Sequence, residues 1–171
     1  MSALFNYFFE LCLLRAKPQD LPTSNALLAL VIAANILVGV LAFSGLYGSV
    51  LRAFMASAVE NLFFLTVLGT LLYFKGLFPR FNQTATALLG SSTLLAIILI
   101  PLYSMSGTGT ERTAMAAVAD MGALALLIWS LLIMGHVLRH AIEIPFGRGI
   151  MFALMYFLLS SLFVGSLFPL S

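Results

Sequence analysis

The chain has 171 residues, of which 62% are hydrophobic and 8% charged, with a formal net charge of +2. Water-soluble domains carry about 25% charged residues, so this balance excludes an ordinary soluble fold. The small net charge gives no reason to expect a nucleic-acid partner. The expected fold class is all-α: a polytopic membrane bundle of five transmembrane helices, led by an N-terminal amphipathic interfacial helix.

In chain order, the first predicted element is a short helix over Ala3–Ala16. Its spacing puts Asn6, Glu10 and Lys17 on one face and Leu4, Phe8, Leu11 and Cys12 on another, a pattern that suits the membrane interface. Pro18 is expected to stop it. Asn6 and Glu10 interrupt the first apolar stretch, and no small-residue cleavage site follows, so no cleavable signal peptide is expected. Cys12 is the single cysteine, which leaves no partner for an intrachain disulfide. It reads either as a small apolar packing residue or as a palmitoylation site beside the interface. Residues 1–22 thus form the interfacial helix and linker, with Thr23 or Ser24 as helix cap, and residues 23–171 the transmembrane domain.

A bilayer core needs roughly 20 apolar residues per helix. Five stretches qualify: Asn25–Tyr47, Ala53–Phe74, Thr84–Met105, Thr113–Leu138 and Gly149–Leu167. Gly45 and Gly48, Gly76 and Pro79, Gly107 and Gly109, then Pro145 and Gly147 separate them. Pro101 is expected to kink the third span. The connections are short, so consecutive spans are expected to be antiparallel neighbours. They leave no room for a catalytic domain.

Basic residues set the orientation. With the N-terminus inside, Arg15, Lys17, Lys75, Arg80, Arg139 and Arg148 face the cytoplasm, and only Arg52 and Arg112 face outward. The expected location is the cell inner (cytoplasmic) membrane, with Ser171 outside.

Acids inside a membrane are costly and are functional candidates by default. Glu60 lies in the second span and Asp120 in the fourth, each eight residues past an outward-facing arginine, Arg52 or Arg112. The acids are therefore expected at similar depth, about 10 Å below the outer interface by helical rise. Each arginine shares a face with its own acid but is too far away to bond it. Cross-helix pairs, Arg52 with Asp120 or Arg112 with Glu60, form if spans two and four touch. The four residues make either a polar cavity open to the outside or a structural contact joined by Asn61 and Asn35.

A second cluster stands at the cytoplasmic end of span four. His136, His140 and Glu143 share a face if the helix continues through them, which makes them weak metal candidates. Val137 occupies the place where a zinc protease motif has glutamate, so that motif is absent. Arg139, His140 and Arg148 are candidates for an anionic lipid headgroup. Trp129, near the middle of the span, needs a partner for its indole N–H. Ser44 and Gly48, and Ser161 and Gly165, have the small-residue spacing that allows close helix contact, within the chain or with a second copy. No phosphate loop, nucleophile–base pair or haem ligand pattern is present. The residues give no sign of an enzyme and call for no cofactor.

Two stretches resemble the Yip domain family of five-span integral membrane proteins. Leu72–Gly90 reads LYFKGLFPRFNQTATALLG and is similar to the family's lysine-and-glycine turn after span two, with a phenylalanine, a polar pair and a return into span three. Trp129–His140 reads WSLLIMGHVLRH, followed by Pro145–Ile150, PFGRGI. Together they resemble its tryptophan-bearing span four and the glycine-arginine turn that reopens span five. The resemblance implies a five-span bundle and a non-enzymatic scaffold or accessory subunit, working through membrane lipids and a protein partner or homo-oligomer. The alternative from the residues is a small transporter or channel component using Glu60 and Asp120.

Overall fold

The computed structural model describes residues 2–106 and 114–169. Those residues form six α-helices and two 3-10 turns: α1 Ser2–Cys12, α2 Asn25–Phe43, α3 Val50–Phe74, α4 Phe81–Ser106, α5 Ala114–Ala141 and α6 Phe146–Leu167, with 3-10 turns at Pro18–Asp20 and Phe78–Arg80. Helices α2 to α6 are each long and apolar enough to cross a membrane, the architecture of a multi-pass membrane protein. The linker and turn at Gly107 and Gly109 lie outside the described residues.

Local chemistry sets several boundaries. The Ser24 hydroxyl accepts the Leu27 amide at 3.2 Å, and Ser49 accepts that of Arg52 at 3.2 Å, so serines cap α2 and α3. Gly76, at φ +69°, closes α3, with the Leu77 amide returning to the Leu72 carbonyl. Helix α1 ends differently from the sequence expectation. Leu14, at φ 61°, reverses the chain, and the Arg15 amide bonds the Glu10 carbonyl at 2.9 Å. The helix therefore stops at Cys12, before Pro18, which instead opens a 3-10 turn. A left-handed leucine costs roughly 1–2 kcal/mol, and burial of Leu11 and Cys12 on either side of the bundle contact holds it there.

The five long helices pack in a ring, in the order α2, α4, α5, α6, α3 and back to α2. Spans two and three are thus not the close neighbours that their short connection suggests. Helix α4 touches α3 sparsely and packs mainly on α2 and α5. Half of its span is buried, against 6% of α2's, which makes α4 the core helix and α2 a peripheral one. Every residue from Thr84 to Ser91 is buried. Helix α1 docks on α4 with Leu11 fully buried and Phe8 against Gly90.

The tight backbone approaches fall at glycines other than the small-residue pairs. At Gly149, an added Cβ would stand 2.4 Å from the Gly135 carbonyl oxygen, so α5 and α6 cross there with backbones in contact. Gly39 meets the Ser57 side chain where α2 crosses α3. Ser44 and Gly48 lie beyond the end of α2, and Ser161 and Gly165 are exposed on α6. Helix α4 continues through Pro101.

Candidate functional site

Two polar regions stand out, one at an end of the ring of helices and one in its interior. The first gathers at the end that holds the N-terminal segment and the α3–α4 and α5–α6 turns, called here the basic end. Side chains of α4 and α5 grip the main chain that follows α1. The Trp129 indole N–H donates to the Cys12 carbonyl at 3.0 Å, the partner it needs. His136 Nε2 lies 3.0 Å from the Ala16 carbonyl. A carbonyl only accepts, so this nitrogen carries the proton. Gln83 donates to the carbonyls of Leu21 at 2.6 Å and Gln19 at 3.2 Å, while Gln19 donates to the His140 carbonyl at 2.6 Å. Tyr7 closes the loop on itself, donating to the Lys17 carbonyl. Burial, with the Asp20 charge adding to it, pushes that phenol above its ordinary range.

Arg80 finishes the other side. It donates to the His140 and Ala141 carbonyls, at 3.5 and 3.2 Å, that the end of α5 leaves open, and it pairs with Glu143 at 2.8 Å. Glu143 sits past the helix in a left-handed turn, φ 55°. The expectation that His136, His140 and Glu143 share one helix face is therefore corrected: α5 ends at Ala141, and each of the three has its own partner. His140 accepts from Arg139 at 3.2 Å. Among the described residues, no group of three His, Cys, Asp or Glu is placed to hold a metal. Arg139 and Arg148 are exposed, and Arg139 stands over the Phe146 ring at 5.9 Å. Cys12 is buried with its thiol toward the Ser91 carbonyl, and burial pushes that thiol up to about 11. Its burial matches the reading of Cys12 as a small apolar packing residue.

The second region is the interior of the ring. A cavity of about 640 Å³ is lined by residues of all five long helices. Glu60 lines it from near the middle of α3. The Glu60 side chain is exposed, and it is one of the groups that line the cavity. Ser160 of α6 supplies a hydroxyl to it, and the phenols of Tyr156 and Tyr47 lie close enough to feel its charge.

Beside Glu60, Asn61 donates to the Ser57 carbonyl at 2.9 Å and to Asn35 Oδ1 at 3.0 Å. Asn35 in turn donates toward Ser92 Oγ at 2.9 Å, Thr93 Oγ1 at 3.0 Å and the Leu89 carbonyl at 3.3 Å. This amide chain ties α3 to α2 and α2 to α4. One atom in it is left over: Asn61 Oδ1 is buried with no hydrogen-bond partner.

The structure places Glu60 and Asp120 differently. Glu60 enters the cavity, and Asp120, exposed near the start of the described part of α5, does not line it. Counted along the helices, Glu60 is about 15 Å into α3 and Asp120 about 9 Å into the described part of α5. Helix α3 begins three residues earlier than hydropathy suggested, and the residues before Ala114 lie outside the described ones. Arg52 reaches the Pro169 carbonyl at 3.5 Å, not Asp120. The reason is the ring order, which sets α3 beside α6 and keeps it from packing on α5. Arg112 lies outside the described residues.

Asn35 and Asn61 are brought to the site as expected from their place in the spans. Tyr156, Tyr103 and the serines Ser57, Ser91, Ser92 and Ser130 are lining residues that sequence reasoning missed. Their signal was a repeated hydroxyl on spans that need none for solubility. Compared with protein-family models, with curated proteins and with solved structures, the chain matches none.

Proposed function

We propose that this bundle is a binding or transport component for a small solute held in its central cavity, with Glu60 as the polar contact. The carrying observation is the cavity itself: about 640 Å³, walled by five helices, with the Glu60 carboxylate among its lining groups. Small-molecule sites fall in the range of roughly 300–1,000 Å³ and pair apolar walls with a few placed polar groups.

The test is thermal unfolding of the full chain in lipid nanodiscs with a panel of small apolar amines, carboxylates and alcohols. Occupancy at one hundred times the dissociation constant stabilises by about 2.7 kcal/mol. At least one class should raise the unfolding temperature, and Ala96→Phe, which fills the cavity, should remove the effect. A panel with no effect, or an effect that survives Ala96→Phe, contradicts the proposal.

The second reading is the scaffold or accessory subunit implied by the likeness to Yip domain proteins. What favours it is α2, which has a mean hydropathy of 2.7 and only Val31 buried. Leu30, Leu37 and Leu41 are more than 60% exposed on it, an outer surface for lipid or another membrane helix. For orientation, we propose that the basic end faces the cytoplasm in a cell inner membrane. A reporter fused near Phe81 should then read as cytoplasmic and one after Ser171 as external; the reverse pattern would overturn this topology.

A further inference from the structure

The chemistry of the cavity wall restricts what it would hold. Its hydroxyl and amide hydrogens are largely spent on the protein. Ser91 donates to the Ala87 and Leu88 carbonyls, Ser92 to that of Leu89 and Ser130 to that of Leu127, which leaves oxygen lone pairs toward the space. The Asn35 and Asn61 amide hydrogens are likewise committed. Flipping the Asn61 amide would set its oxygen against two acceptors, the Ser57 carbonyl and Asn35 Oδ1, so the orphan atom is the oxygen. It belongs to a side chain only 5% exposed.

Glu60 adds a carboxylate, and among the described residues no lysine, arginine or histidine lines the cavity. The remaining wall is leucine, isoleucine and aromatic rings, including Phe43, Phe64, Tyr103, Tyr156 and Phe157. An anion would meet the Glu60 carboxylate with no cationic side chain among the described lining residues to offset it. A neutral apolar molecule would leave the Glu60 carboxylate without a counter-charge. A bare inorganic cation would need a close cage of several oxygens and would leave most of the volume empty.

We propose that the cavity takes an amphiphilic organic amine in its cationic form. Its ammonium group pairs with the Glu60 carboxylate, and its apolar body sits among the rings and leucines. This deepens the solute-binding reading above and rests on it. The carboxylate balances the charge, and ring faces such as Tyr156 attract the cation further.

The test uses dansylcadaverine, a fluorescent primary amine, and its neutral N-acetylated counterpart, titrated into the full chain in nanodiscs with empty nanodiscs subtracted. The amine should bind one per chain and at least tenfold more tightly than the acetylated compound. Glu60→Gln should weaken the amine at least tenfold without changing the acetylated compound, and Glu60→Asp should recover part of the loss. Equal binding of both compounds, lost together in Ala96→Phe, would overturn the amine class while sparing the solute-binding reading. Amine binding that is indifferent to Glu60→Gln would overturn the assignment of its contacts. No binding of either compound would also overturn the amine class, and the unfolding panel then decides separately whether the cavity takes any solute.

Discussion

The basic end and the ring interior use similar polar side chains to opposite ends. At the basic end, Trp129, His136, Gln83 and Arg80 each meet a main-chain carbonyl, and the N-terminal segment is stapled to α4 and α5. In the interior, the amide chain through Asn35 and Asn61 stops one acceptor short, and Glu60 faces open volume. Polar groups in an apolar medium are matched wherever the fold depends on them. A site that leaves one unmatched gives up stability, and a ligand that completes the match recovers it.

Substitutions should therefore separate the two regions. The largest loss is expected where backbones touch. Gly149→Val should cost about 3 kcal/mol by forcing α5 and α6 apart, near the upper range for overpacking, and reversible unfolding in mild detergent reads it directly. Next come the staples. Trp129→Phe and His136→Ala each orphan a carbonyl and should cost about 1–3 kcal/mol. Limited proteolysis with trypsin after Arg15 should speed up in both variants, and unchanged cleavage would mean that the segment is held by α1 packing alone.

Smaller still is the effect of Glu60→Gln on the fold. Among the described residues no basic partner pairs with Glu60, so its stability should shift by less than about 1 kcal/mol, in either direction. A collapse of this variant would move Glu60 to the structural side of the comparison. The last prediction concerns Cys12. With its thiol pushed up to about 11, little thiolate exists at neutral pH. Maleimide labelling of the folded chain should be slow at pH 7 and rise roughly tenfold per pH unit up to that value. Fast labelling at pH 7 would show that α1 leaves the bundle readily.

Much of the fold was legible because hydropathy and turn residues report directly on membrane crossing. All five spans, the Ser24 cap and the need of Trp129 for a partner follow from local chemistry. The docking of α1 did not, since nothing in the sequence marks Leu14 for a left-handed turn; packing of Leu11 and Cys12 imposes it. The fates of Glu60 and Asp120 were equally hidden. Two acids at the same offset from an arginine look equivalent along the chain, and only the ring order decides which faces the interior. The joint face of His136, His140 and Glu143 failed for a related reason: the helix stops between them, and Arg80, from the α3–α4 turn, takes the carboxylate. Asn35 and Asn61 were readable because an amide on a membrane helix has few alternatives to another helix.

The most direct test of the division between fold and site is to measure unfolding temperature with and without saturating dansylcadaverine for wild type, His136→Ala and Glu60→Gln. The account predicts that His136→Ala unfolds earlier but keeps the full ligand-induced rise, whereas Glu60→Gln unfolds near the wild-type temperature and loses that rise. The opposite pattern, with Glu60→Gln unstable and still stabilised by the amine, would contradict it.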